Sequence, residues 1–506
     1  MRGETALDVA IVGAGAGGTY LADRLVGARP DWSITVFERS NRIGGRLRSV
    51  EVDGLAHPIE LGGMRYLTSH PRIQSVVTEL AIPTRPFDPL GGPERSFLRG
   101  RLGTGPGDPK AGAGYDLPAG ERDRSAIDLT VEAFERIVPA ARDIATADWP
   151  ATRATVAYLD RQITDWSLED ALATIRSPEG HKFIRDAFGY DSGFNPHNAG
   201  DAIQYLLHGN DPSTEARVPV AGMDAIPRAL AARFEERGGC IELGVDVQRL
   251  AMDDGVVRLE LGDGSVVRAR RLVLAIPIPA LAALADGSPI LGGPAWQGVL
   301  GSVEGFQATK LYCWYDRPWW RAGPNAPSGI RSTTDLSNRM LFYFDEDDDG
   351  PAAMLAAFND HRRAAPLVAL AGGASDGAPG SGPLLEEITR NLRAIHPGAD
   401  VPNPSGTAFM HWGSDPREIA WTFWRAGVNS DEAMAKALQP DSAIPIHICG
   451  ETFSRAQAWV EGALATAHAL ADQLLGQGRR LSPEGAARPR TSGRSRPRSG
   501  RRTRSH

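Results

Sequence analysis

Three features of this 506-residue chain predict an α/β fold. A β-branched run, Leu7-Asp8-Val9-Ala10-Ile11-Val12, feeds a glycine-rich turn and then helical spacing from Thr19 to Val26. From Gly305 to Phe423 the composition turns aromatic and its runs alternate, as strands of an antiparallel sheet do. Between these regions, Ser125 to Phe188 has mostly helical spacing and reads as a helical insertion. A chain this long exceeds one compact core, so two or three domains are expected.

The first element carries a recognisable chemistry. Gly13, Gly15 and Gly18 fit G-x-G-x-x-G with a strand before and a helix after. Gly13 permits the tight turn, Gly15 lets backbone approach a pyrophosphate, and Gly18 lets helix and strand pack closely. The helix N-terminus that follows the turn, with Ala16 in the turn itself, offers free N–H groups and a positive dipole end to the phosphates. Farther on, the strand Ile34-Thr35-Val36-Phe37 ends in Glu38, placed to accept hydrogen bonds from a ribose. A carboxylate there disfavours a 2′-phosphate, so NADP is not expected. The domain is therefore Rossmann-like.

A second glycine pair follows at once. Gly44 and Gly45 lie between arginines, and a guanidinium such as Arg46 can fork onto a phosphate oxygen, with Arg39 also near. Glu60-Leu61-Gly62-Gly63-Met64-Arg65 provides another glycine-lined approach. On these motifs the sequence resembles the flavin amine oxidase family, and Gly63-Met64-Arg65 is similar to its L-amino-acid oxidase branch. That resemblance implies FAD as the dinucleotide, held by the glycines, by Gly62, Gly63 and Met64, and by Arg65. It also implies that Arg65 binds the substrate carboxylate beside the flavin. From residues alone, a structural ion pair or a phosphate contact would suit Arg65 equally well.

Along the chain, Pro71 to Leu80 reads as a helix, Phe87 to Leu102 as strand and turn, and Gly103 to Arg124 as a surface loop. Phe188 to Phe194 breaks the helical insertion with glycines. Ala225 to Arg237 is an amphipathic helix, Gly244-Val245-Asp246-Val247 a strand, and Val256–Leu261 with Ser265–Val267 a hairpin. Arg271 to Pro277 reads as a buried strand, Thr309 to Tyr315 as an alternating strand carrying Lys310, and Ile444 to Gly450 as another strand. A long helix then runs from Trp459 through Leu475. The expected division is an FAD-binding domain (1–65, 215–300, 440–478), a substrate domain (66–124, 301–439), a helical domain (125–214) and a basic tail (479–506).

The resemblance extends over these later pieces. It implies that Val247 holds the adenine through its backbone, although sequence alone prefers a core strand residue there. It places Glu451, Ala458, Trp459 and Val460 against the ribityl chain and flavin ring; the family usually has glycine where Ala458 stands. Lys310, which as a lone lysine either snorkels or is held with a perturbed pKa, is implied to assist reaction with oxygen. Trp459, Phe342 and Phe358 are implied to wall the substrate, Phe358 standing where tyrosine is common. His208 roughly matches a family histidine near the substrate, but a histidine at a helix end is more often structural. Trp421-Thr422-Phe423-Trp424 has no cysteine for a covalent flavin link, so FAD is expected to bind noncovalently.

Other classes are excluded or disfavoured. Cys240, Cys313 and Cys449 are isolated and form neither a disulfide framework nor a zinc spacing, and no motif suggests a metal. The longest apolar stretch, Leu272 to Ala285, is too short and proline-broken to span a bilayer. Residues 1–6 lead directly into the first strand, leaving no room for a signal peptide, so the cytoplasm is the expected compartment. After residue 478, ten arginines against one glutamate give the tail +9, so the rest carries −16 of the net −7. The tail reads as a dispensable disordered extension rather than a nucleic-acid arm. A homodimer is left open.

The function these features predict is an FAD-dependent L-amino-acid oxidase. It would pass a hydride from the substrate Cα–H to flavin N5 and yield a 2-oxo acid, ammonia and hydrogen peroxide from an L-amino acid, O2 and water. The alternatives are an amine or polyamine oxidase, an amino-acid monooxygenase, and a non-enzymatic flavin-binding scaffold.

Overall fold

The structure, a computed structural model, describes residues 6–476 apart from 89–91, 93, 195–196, 209–213, 323–325 and 345–349; the basic tail lies outside the described residues. A five-stranded parallel sheet holds the nucleotide-binding region together. Its order is Cys240–Leu243, Ile34–Glu38, Val9–Val12, Leu272–Leu274, Ile446–Ile448. Val9 and Ile11 face one way, onto the helices Ala16–Ala28, Ala225–Glu236 and Val460–Leu474. Ala10 and Val12 face the other way, onto a three-stranded antiparallel sheet of Val247–Asp253, Val256–Leu261 and Val266–Ala269. A sheet covered on both faces needs apolar residues on both, which is why its strands read as unbroken hydrophobic runs.

Two expected elements change here. Gly244 to Val247 is not a strand: Cys240–Leu243 is, and the chain turns at Gly244 before Val247 opens the antiparallel sheet. The segment from Gly103 to Arg124, expected as a surface loop, is exposed over about half its length but anchored by buried residues. Tyr115 and Leu117 are buried against the helical insertion, and the Tyr115 hydroxyl donates to Asp186 at 2.9 Å. Its glycines and prolines set an irregular backbone; they do not set exposure.

The insertion itself comprises Ala126–Ile137, Trp149–Thr155, Leu168–Ala173, Pro178–Phe188 and Ala199–His208 around a core of its own. Ser125, Ser167 and Ser177 cap three of these helices by accepting from backbone N–H groups of the first turn.

The aromatic region forms a seven-stranded sheet in the order Gly406–Trp412, Ala308–Tyr315, Ala352–Asp360, Met340–Phe344, Arg331–Thr334, Arg95–Leu98, Arg101–Gly103. It is antiparallel except where Arg331–Thr334 pairs in parallel with Arg95–Leu98. That strand arrives from a distant part of the chain, so no hairpin dictates its direction. Register aligns Lys310 with Phe358, Phe358 with Met340, and Phe342 with Arg331. Partners directly opposite share a sheet face, so these side chains form a row across one face of the sheet.

Candidate active site

A single cavity of about 1340 Å³ runs from the carboxyl ends of the parallel strands to that sheet face. Crevices at this end of a parallel sheet are where such folds bind nucleotides.

The nucleotide end is built from glycine turns. Gly13 has φ +107°, and a Cβ there would lie 2.5 Å from the Ala275 carbonyl oxygen. A Cβ on Gly18 would lie 2.0 Å from the Gly13 carbonyl oxygen. Gly18 therefore serves helix–strand contact, as its spacing predicts, and does not line the cavity. Gly15, Ala16 and Gly45 do line it, and the two glycine turns are joined by the Gly44 N–H, which donates to the Ala14 oxygen at 3.0 Å. The helix at Ala16 has no side-chain cap and no acidic residue in its first turn, which leaves its N–H groups for an anion. Glu38 is oriented by the Ala14 N–H at 2.8 Å and by the Ser40 N–H and hydroxyl at 2.9 and 2.8 Å.

Three of the arginines here pair with carboxylates, while Arg42 donates to the carbonyls of Gly45 at 2.8 Å and Leu47 at 3.4 Å. Arg39 holds Asp415 at 2.6 Å and Glu418 at 3.3 Å, and Arg417 holds Asp246 at 3.0 Å. Arg46, expected to reach a phosphate, donates to Glu451 at 2.8 Å and to the Ala420 carbonyl at 3.2 Å. Glu451 also accepts from the Ala458 N–H at 2.6 Å and from Thr422. It thus fixes the turn before Trp459, where Ala458 adopts φ +64°. That left-handed conformation is the one glycine adopts without strain. Val247, Val460 and Trp459 complete this wall. A glycine-cradled phosphate site, an oriented carboxylate and a long crevice fit FAD, and no cysteine lines the cavity among the described residues.

The other end is aromatic and carries two cations, Arg65 and Lys310, without a carboxylate partner among the described residues. Arg65 reaches the cavity between three rings, its Cζ lying 5.0 Å from the centroid of Phe87, 5.9 Å from Phe342 and 5.8 Å from Trp459. It has no carboxylate partner among the described residues. Phe342 supports Arg65 from behind and does not line the cavity, a correction to its expected place on the substrate wall. Its strand position turns it onto Phe87, 6.0 Å away. Lys310 is buried, and its Nζ donates to the carbonyls of Glu60 at 2.9 Å and Gly62 at 2.5 Å, with the Phe358 ring 5.1 Å away. Burial pushes its pKa down, and the nearby Arg65 guanidinium adds to that. Gly62, Gly63 and Met64 carry the backbone past Lys310 to Arg65.

Tyr190 and Trp421, which sequence reasoning missed, stand edge-on to Phe358 at 5.7 and 6.4 Å. The Trp421 indole donates to Ser192 at 3.1 Å. Tyr190 sits in the glycine-rich break of the helical insertion, where no periodic pattern marks it. Arg331, paired with Glu94, also lines the cavity and was likewise missed. His208 ends the helix Ala199–His208, and its side chain lies outside the described residues.

The comparisons agree with this geometry. The family model for flavin containing amine oxidoreductases matches residues 20–475, and the chain belongs to that family. Its cofactor is FAD, bound noncovalently. The chain is 27% identical to achacin of Lissachatina fulica, over 90% of this chain and 91% of achacin. It is 25% identical to L-amino acid oxidase Bs29 of Bothriechis schlegelii, over 69% of this chain and 68% of that protein. A solved putrescine oxidase bound to putrescine superposes with a TM-score of 0.70 at 17% identity, covering 93% of this chain and 99% of that one, which establishes the shared fold.

Proposed function

We propose that the protein is an L-amino-acid oxidase. One observation carries the reading: Arg65, a guanidinium on the cavity wall, is held by three aromatic rings and has no carboxylate among the described residues to neutralise it. A guanidinium suits an α-carboxylate because two parallel hydrogen bonds fix its orientation. An amine lacking that carboxylate would leave the cation unpaired on closure. Similarity to a protein named as an L-amino acid oxidase supports the same reading.

Bound FAD supplies the two-electron acceptor, with oxygen as the final oxidant. The chain contributes position and environment. Arg65 holds the substrate carboxylate. Phe358, Tyr190, Trp421 and Trp459 wall the substrate and exclude water. Lys310, its charge destabilised by burial, stands on the face of the sheet that the substrate meets.

The test is a hydrogen peroxide assay of the purified flavoprotein across the L-amino acids and their decarboxylated amines. Turnover of amino acids with little turnover of amines is expected. Comparable turnover of both would move the protein to the amine oxidases.

A further inference from the structure

We propose that Glu60 is a positioning residue for Lys310: its carboxylate, facing a second cavity behind the active site, governs the charge that Lys310 presents to the first. The proposal builds on the role given to Lys310 above, and its test does not depend on which substrate is oxidised.

Glu60 stands between two spaces. Its carbonyl faces the active site and accepts from Lys310 Nζ at 2.9 Å, beside the Gly62 carbonyl. Its carboxylate turns the other way, accepting from the Ser49 hydroxyl at 2.9 Å and the Met223 N–H at 2.8 Å. There it borders a separate cavity of about 140 Å³, whose wall also includes Tyr312, His57 and Arg85. Tyr312 follows Lys310 by two positions on one strand, and its hydroxyl is buried on this side. A void of that size has room for several waters, at roughly 30 Å³ each. Lys310 itself meets only neutral acceptors, so no ion pair closes on its Nζ among the described residues.

The charges around the pair act in opposite directions. Burial destabilises the Lys310 ammonium, Arg65 adds repulsion, and Glu60 is the group that opposes both. Burial raises the Glu60 carboxyl and Asp224 raises it further, while its two hydrogen bonds and Lys310 lower it. The two residues are therefore mutually dependent: an ionised Glu60 favours the Lys310 ammonium, and a neutral Glu60 leaves burial and Arg65 unopposed. Lys310 is a hydrogen-bond donor in either state, but only the ammonium brings positive charge to the flavin side.

The chain has four lysines, Lys110, Lys182, Lys310 and Lys436. Carbon-13 labelling at lysine Cε in the FAD-loaded protein therefore gives few resonances, and Lys310→Met identifies the one to follow. In Glu60→Gln the Lys310 titration midpoint should fall by about one pH unit or more. Ser49→Ala, which removes one hydrogen bond to the carboxylate and leaves the charge, should move it the same way by less. The alkaline limb of flavin reoxidation by oxygen should move with that midpoint, and anaerobic reduction by substrate should not. An unchanged Lys310 midpoint in whichever variant folds and keeps its flavin would overturn the proposal. A moved midpoint without amino-acid turnover would leave it standing and remove the proposed substrate instead.

Discussion

The two ends of the cavity surround their principal cations differently. At the nucleotide end, Arg39, Arg46 and Arg417 are neutralised by Asp415, Glu418, Glu451 and Asp246. The anion site there consists of backbone N–H groups at a bare helix start. At the substrate end, Arg65 has rings in place of carboxylates, and Lys310 has carbonyls. Paired arginines are structural supports, stiff and already satisfied. An unpaired guanidinium in an aromatic frame is oriented in advance, and its electrostatic partner arrives with the ligand. The difference separates a site for a resident cofactor from a site for a substrate that comes and goes.

Removing the unpaired cation is the sharpest way to break that contrast. Arg65→Ala should keep its FAD but lose roughly a hundredfold or more in kcat/KM for amino acids. Each charge-assisted hydrogen bond contributes about 1.5–3 kcal/mol, and a substrate displaced by about 1 Å reacts on the order of a hundredfold more slowly. Steady-state kinetics with a flavin absorbance spectrum reads both. Loss of the flavin instead would make Arg65 a cofactor residue and erase the contrast.

A paired arginine should behave differently. Arg46→Ala leaves the buried Glu451 carboxylate without its cation, which loosens the turn carrying Ala458 and Trp459. FAD affinity should fall by about tenfold or more, at about 1.4 kcal/mol per factor of ten, with KM for the amino acid little changed in FAD-saturated enzyme. Equilibrium dialysis of flavin checks the first part. A rise in KM at full FAD occupancy would place Arg46 in the substrate half.

Acid should erode the fold through its buried histidines. His70, edge-on to Trp459 at 5.0 Å, is held by burial at a pKa of about 4, and buried His197 and His396 at about 3. Between those values and the ordinary 6.5, the unfolded chain takes up protons that the folded chain refuses. The histidine contribution to stability is therefore fully present above pH 6.5 and declines as pH falls toward 4. Chemical denaturation at pH 7.5 and 5.5 should show the lower midpoint at 5.5, and His197→Phe should reduce the difference.

The smallest effect expected is at Ala458. Its left-handed backbone costs about 1–2 kcal/mol relative to glycine, offset by the roughly 0.5–1 kcal/mol of extra chain entropy that glycine loses on folding. Ala458→Gly should therefore stabilise the protein by no more than about 1.5 kcal/mol in urea unfolding. A clear destabilisation would show that the methyl packs against the bound cofactor wall.

The chemistry of the nucleotide end was legible because it is local. Gly13, Gly15, Gly18 and Glu38 act at short spacing within one strand–turn–helix–strand unit, so the order of residues encodes the site directly. Gly63-Met64-Arg65 was legible as a motif, and Lys310 as a single charge within an apolar strand.

What surrounds those residues was decided by folding. That Arg46 meets Glu451 depends on a contact 405 positions away. That Phe342 backs Arg65, while Tyr190 and Trp421 wall Phe358, depends on strand register and on how the helical insertion docks. The burial of Tyr115 and Leu117 and the parallel pairing of Arg95–Leu98 were decided in the same way. Sequence by itself determined which groups are present and which backbone shapes they permit, because glycine geometry and β-branching act within a few bonds. Only the tertiary structure decided which charges are paired, since pairing depends on distance across the fold, and that pairing sets the cofactor end apart from the substrate end.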